Sequence, residues 1–257
     1  MSVAFVGAGP GQADLITQRG AARLREAEVV LFDSLADPAL RDLAPQARWI
    51  DVGKRGLRGV PHASTGQATI NALLVKHALS GARVVRLKGG DPSVFGRLEE
   101  ELEALTAAGV ACEVVPGVTA ATAAAAAALR PLTRRGSGRS VSLTTAMTHD
   151  VGLRAGRHAD TEVFYMAGRQ LAALSRSLQA AGWAGTAPAL VVSRAGWPDE
   201  VVSEHAVADL ASAAVLHAGR PTVVTIGAGA LAVGTKAPVT APLAPPARLD
   251  RRRKIVD

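Results

Sequence analysis

A chain of 257 residues that is 48% hydrophobic has the length for one large or two modest domains and the apolar content for a sizeable core. Aromatic residues make up only 3%, so that core must be aliphatic, and the single Cys112 excludes an internal disulfide and fits a reducing compartment. The net charge of +7 does not point to nucleic acid, because six cations and two acids fall from Lys236 onward, in a terminal run rather than on a folded face.

The first run, Val3 to Val6, reads as a strand that meets glycine at once and has no signal-peptide pattern. The most apolar stretch, Ala120 to Leu129, is nearly all alanine and too short to span a bilayer. A cytoplasmic protein without membrane contact is therefore expected.

After the first strand, Gly7-Ala8-Gly9-Pro10-Gly11 leads into a helical pattern from about Asp14 to Glu26. A strand, a glycine turn and a helix invite a dinucleotide-binding reading, and Asp33 closes the next strand (Val29 to Phe32) where a ribose-binding acid belongs. Two residues oppose it. Gln12 stands where a small residue is wanted, and Pro10 removes a backbone donor from the turn that should cradle a pyrophosphate. A nicotinamide-dependent oxidoreductase remains the alternative of another class.

Asp37-Pro38 starts a short helix, and Trp49 to Val52 reads as a third strand, ending in Gly53-Lys54-Arg55-Gly56. Two cations between glycines can face an anion, or be solvated loop charges. Leu57 to Thr69 reads as a loop, and Ile70, Leu73, Leu74 and Ala78 mark a helix that stops at Gly81. Val84 to Lys88 is a buried strand that delivers the chain into Gly89-Gly90-Asp91-Pro92. The glycines let a ligand approach the backbone, Asp91 offers a carboxylate, and Pro92 stiffens the turn, although the same residues also suit a plain reversal.

Leu98, Leu102 and Leu105 then recur at helical spacing, with Glu99, Glu100, Glu101 and Glu103 read on the other face and Gly109 as the stop. Ala111 to Val115 is a strand and Thr119 to Leu129 an alanine helix. Up to Val115 the alternation predicts a parallel sheet. Further strands are predicted at Ser140 to Thr145, Thr161 to Met166, Pro188 to Arg194 and Thr222 to Ile226, with helices at Gly168 to Ala181 and His205 to His217. The pattern predicts two α/β domains, residues 1–116 and 117–235, the second with a mixed sheet. Residues 236–257, with Pro238, Pro242, Pro245 and Pro246 before the basic run, read as a disordered tail. No metal-ligand spacing, nucleophile elbow or phosphate-binding loop occurs.

Taken together, VGAGPG (6–11), VVLFD (29–33), VGKR (52–55), VVRLKGGDPSVFGR (84–97), VVPGVTAA (114–121), PLTRR (131–135) and FYM (164–166) resemble the tetrapyrrole methylases, and within them most of all the uroporphyrinogen-III C-methyltransferases. The resemblance runs in colinear order over roughly residues 3 to 228, and its central motif is specific where the glycine start alone is not. It implies two α/β domains with S-adenosylmethionine in the cleft between them, a homodimer, no metal, and two methylations of uroporphyrinogen III to precorrin-2 for sirohaem or cobalamin. It implies a donor site at Pro10, Gly89, Gly90, Asp91, Val94, Thr119, Ala120, Met166 and Ala195, a proton acceptor at Asp33 and a proton donor at Lys54. The acceptor is a polycarboxylate, for which Arg55, Arg97 and Arg134 are candidate partners, with Arg135 and Arg139 beside them. The sequence departs from the family pattern at Arg134, where histidine is usual, and at LTTAM (143–147), where VTGH is usual. SRAGWPDE (193–200) is similar to the precorrin-4 methyltransferases, which keeps a later precorrin methylase as the nearer alternative.

Overall fold

Apolar runs that end in glycine or an acid and alternate with helices form the first of two five-stranded sheets in the computed structural model, which describes residues 2–53, 66–147, 153 and 155–235. β1 (Ser2–Gly7), β2 (Val29–Phe32), β3 (Arg48–Asp51), β4 (Val84–Lys88) and β5 (Ala111–Val115) are all parallel, in the order β3-β2-β4-β1-β5. α1 (Gln18–Glu26) covers one face with Leu24 against Val6, Val30 and Leu87. α2 (Gln67–Leu79) and α3 (Leu98–Ala107) cover the other, packing Leu74 and Leu105 on Phe5, Leu31 and Val84. The central strand β4 is buried along its whole length, as a sheet covered on both sides requires. The neighbours β1 and β4 send their connections to opposite faces, which opens a crevice beyond their carboxyl ends.

The second sheet has the order β6-β7-β10-β8-β9, from β6 (Val141–Thr145), β7 (Thr161–Tyr165), β8 (Pro188–Ser193), β9 (Val201–Ala206) and β10 (Thr222–Gly227). β6 and β7 are parallel and the other pairs antiparallel, so the sheet is mixed as expected. The alanine helix α4 (Ala120–Ala127) packs Ala121 and Ala124 on Val163, Leu190 and Val192, while α5 (Leu171–Ala180) covers the opposite face at Phe164, Val191 and Val224. Alanine lets the helix axis come close to the strands without a gap.

Three sequence readings need correction. The segment Asp14 to Glu26 is not one helix. A 3₁₀ turn at Ala13–Leu15 precedes α1, because Thr17 is the N-cap and its Oγ1 accepts the Gly20 N–H at 3.1 Å. His205 to His217 is not helical throughout. Its start belongs to β9, which the sequence reading lacked, and a 3₁₀ segment follows at Val207–Ala214. Pairing six residues of β9 with β8 satisfies a sheet edge that would otherwise be bare. Glu101, finally, does not lie on the solvent face of α3 but is fully buried.

Candidate active site

Three loops meet beyond the carboxyl ends of β1, β4 and β5, and they approach so closely because their residues are glycine. Ala8 N donates to the Lys88 carbonyl at 2.8 Å, and Gly9 and Gly90 exchange hydrogen bonds of 3.2 and 2.7 Å. A Cβ on Gly7 would sit 2.6 Å from Gly117 Cα, and one on Gly117 would overlap the Gly90 carbonyl. Gly90 is different. It needs glycine for its φ of +72°, and a side chain there would meet only the Val118 carbonyl at 3.9 Å. Its outer side is open.

Two carboxylates flank this bend. Asp91 accepts from Ser93 N at 2.8 Å and from Gly117 N at 2.9 Å, tying the bend to the chain that enters the second sheet. Asp33, just past β2, accepts from Leu35 N at 3.0 Å and Gly89 N at 3.2 Å. The far wall is aromatic. Tyr165, at the end of β7, hydrogen-bonds Thr119 Oγ1 at 2.7 Å and accepts from Ala121 N at 3.3 Å, and its ring lies 5.0 Å from Phe95 of the β4–α3 loop. Burial pushes the Tyr165 hydroxyl above its ordinary range, the Thr119 and Ala121 hydrogen bonds oppose this, and the Asp91 charge adds to it. Val94 packs against the core beneath α4, and Met166 follows Tyr165 in left-handed backbone, half-exposed. On the other flank, the buried Ala195 lies two residues before Trp197, whose Nε1 donates to the Pro10 carbonyl at 3.0 Å.

Pro10, Asp33, Gly89, Gly90, Asp91, Val94, Thr119, Ala120, Met166 and Ala195 are thus linked through neighbouring bonds and contacts around the ends of β1, β4 and β7. Arg97 and Arg134 are held by other partners. Arg134 spends its guanidinium on backbone carbonyls, Nε on Ala228 at 2.8 Å, Nη1 on Ala232 at 3.2 Å and Nη2 on Leu231, so it caps a 3₁₀ turn after β10. Arg97 holds Glu100 in a two-point pair at 2.7 and 2.6 Å. Lys54 and Arg55 lie outside the described residues. A groove of about 880 Å³ runs along Phe95, Arg97 and the outer side of α3, but Glu99, Glu100 and Glu103 make it a poor seat for a polyanion.

Residues that sequence reasoning did not place among the functional ones stand directly behind the bend. Glu101 receives Arg86 Nε at 3.0 Å, Lys88 Nζ at 2.6 Å and Gln67 Nε2 at 3.3 Å, and Arg86, Lys88 and Glu101 are 5%, 4% and 0% exposed. Burial pushes the Lys88 ammonium down, with Arg86 adding to this and Glu101 and Asp33 opposing it. The signal was available: two cations inside the otherwise aliphatic VVRLK run, and an acid at the helical spacing of the Leu98, Leu102 and Leu105 stripe.

The site therefore offers two carboxylates beside an open glycine, aromatic and aliphatic walls, and no strong nucleophile. Among the described residues no group of three or more His, Cys, Asp and Glu could hold a metal, and no helix is long and apolar enough to cross a membrane. Such a site suits a cationic ligand whose reacting group needs positioning rather than covalent attack.

The chain is similar in sequence and fold to known proteins. The model of the family Tetrapyrrole (Corrin/Porphyrin) Methylases matches residues 2–211. A uroporphyrinogen-III C-methyltransferase of Pseudomonas aeruginosa is 42% identical over 195 residues, which cover 74% of this chain and 78% of that protein. A siroheme synthase of Baumannia cicadellinicola is 42% identical over 88% of this chain, and the chain spans about half (49%) of its length. The crystal structure of uroporphyrin-III C-methyl transferase from Thermus thermophilus, complexed with S-adenyl homocysteine, superposes with a TM-score of 0.75 at 34% identity, covering 88% of this chain and 97% of that one. With a family model matched over most of its length and relatives well above 30% identity, the chain belongs to the tetrapyrrole (corrin/porphyrin) methylases.

Proposed function

We propose that the protein is an S-adenosylmethionine-dependent methyltransferase that converts uroporphyrinogen III to precorrin-2 by two C-methylations, supplying sirohaem or cobalamin synthesis. The observation that carries this reading is the open Gly90 bend between Asp33 and Asp91, facing the Thr119–Tyr165 wall, in a chain similar over 88% of its length to a transferase crystallised with the spent donor. The residues fit such a donor. A sulfonium is cationic and is favoured by neighbouring carboxylates, and Gly89 and Gly90 permit backbone approach. Pro10, Gly89, Gly90, Asp91, Val94, Thr119, Ala120, Met166 and Ala195 would hold it.

The donor supplies an electrophilic methyl group. As the methyl passes to a ring carbon, the carbon–sulfur bond breaks, the sulfur keeps the electron pair and the tetrapyrrole becomes cationic. The ring must then lose a proton. Asp33, with its carboxylate held by Leu35 N and Gly89 N, stabilises that charge and accepts the proton. Lys54 is carried as the proton donor from the family resemblance. For the acceptor carboxylates Arg55 remains a candidate, and Arg97 is one only where a substrate carboxylate displaces Glu100 from its guanidinium. Arg134 is not one, because each of its three nitrogens already binds a backbone carbonyl of residues 228–232. No metal enters the reading.

The reading includes domains at 1–116 and 117–235, a cytoplasmic location and a homodimer, to which exposed apolar side chains such as Leu129, Leu143 and Met147 offer surface. Light scattering behind size exclusion tests the dimer. Incubation with S-adenosylmethionine and uroporphyrinogen III tests the reaction: a dimethylated product is expected, and its absence ends this reading. Methylation of a later precorrin instead would move the acceptor and keep the donor.

A further inference from the structure

One loop of the second sheet reaches back to the first. The turn after β8 runs Arg194-Ala195-Gly196-Trp197, and Gln12 N donates to the Gly196 carbonyl at 2.9 Å while Trp197 Nε1 donates to the Pro10 carbonyl at 3.0 Å. The fit is close: a Cβ on Gly11 would overlap the Gly196 carbonyl, and one on Gly196, at φ +80°, would sit 2.8 Å from Leu15 Cδ1. The indole is itself held. The Arg194 guanidinium stacks on its ring at 4.6 Å, and Asp199 fixes that guanidinium through Nε at 2.7 Å. Arg194 adopts left-handed backbone to do this, at φ 53°, an arrangement a non-glycine residue keeps only when its surroundings enforce it.

We propose that Trp197 is a positioning residue for the methyl donor, an interlobe latch that sets the spacing between Pro10 on the first sheet's glycine loop and Ala195 on the second sheet's turn. The proposal rests on the donor site of the preceding reading, since both residues are assigned to it. Pro10 has no N–H, so its carbonyl is the only backbone hydrogen-bonding group it offers, and Trp197 takes it. A donor that touches both residues gains from their being fixed beforehand. By linkage, the donor in turn tightens the latch.

The test is Trp197→Phe, which keeps a ring under Arg194 and removes the N–H. Calorimetry with S-adenosylhomocysteine is expected to show affinity weakened by about tenfold, the scale of one hydrogen bond. Initial rates should show KM for S-adenosylmethionine rising with it, while kcat and the acceptor KM stay within about twofold. A loss of folded protein would instead lower the apparent kcat and leave both KM values unchanged. As a second readout, Trp49→Phe with Trp183→Phe leaves Trp197 as the sole indole, and its emission should shift on adding S-adenosylhomocysteine and not on adding uroporphyrinogen III. Wild-type binding with an unchanged Trp197→Phe affinity, or a Trp197 emission that ignores S-adenosylhomocysteine, overturns the latch alone. Wild-type protein that binds no S-adenosylhomocysteine overturns the donor site and the latch with it.

Discussion

Removing Glu101 should unfold the first sheet more readily than removing either of its cations. The cluster holds two buried cations, Arg86 and Lys88, on one buried carboxylate. Glu101→Ala leaves both without the carboxylate that bonds them, and breaking a buried pair from one side costs about 3–5 kcal/mol. For a chain of this size that corresponds to a fall in Tm of roughly 6–20 °C. Lys88→Met leaves Arg86 and Glu101 as a one-to-one pair and loses one charged hydrogen bond, at a cost of about 1.5–3 kcal/mol. The methionine stem still fills the space beneath Gly96, where the Lys88 Cε lies 3.0 Å from the site of an added Cβ. Calorimetric unfolding and urea titration at neutral pH compare the two. A Lys88→Met protein that is as destabilised as Glu101→Ala, or more so, would refute the charge-count argument.

Asp91→Ala removes the acceptor for Ser93 N and Gly117 N and should weaken S-adenosylhomocysteine binding about tenfold while the protein stays folded, read by calorimetry and circular dichroism. Arg134→Met should lower stability by about 1–3 kcal/mol, because the Leu231 carbonyl loses its donor and those of Ala228 and Ala232 keep only long backbone bonds, and leave the acceptor KM unchanged; a raised KM would return Arg134 to the acceptor site. His217 is fully buried between the Ser193 and Ser203 hydroxyls, and burial, then His205 and Arg220, hold its pKa below the ordinary imidazole value. The unfolded chain therefore binds the extra proton, so Tm should fall as pH drops from about 7 to about 5, and His217→Gln should flatten that slope.

Much of the fold is legible because it is local. The aliphatic strands that end in glycine or acid, the Gly81 and Gly109 helix stops with positive φ, and the alternation through Val115 all follow from backbone rules that act within a few residues. The bend at Gly89-Gly90-Asp91 was legible for the same reason. Arg134 shows the limit. Its residue type suits an anion, but the carbonyls that consume its donors come from residues 228–232, nearly a hundred positions away. Glu101 shows it again, since a helix pattern rich in acids does not reveal which one faces Arg86 and Lys88.

Sequence alone determined the two α/β lobes, the family and the glycine bend, because periodicity, turn chemistry and motif order are written in neighbouring residues. Tertiary structure alone decided that Asp91 is tied to Gly117, that Tyr165 walls the site against Thr119 and Phe95, and that Trp197 closes on Pro10. Those contacts join segments up to 187 positions apart, and no local preference encodes which buried donor will find which acceptor once the lobes pack.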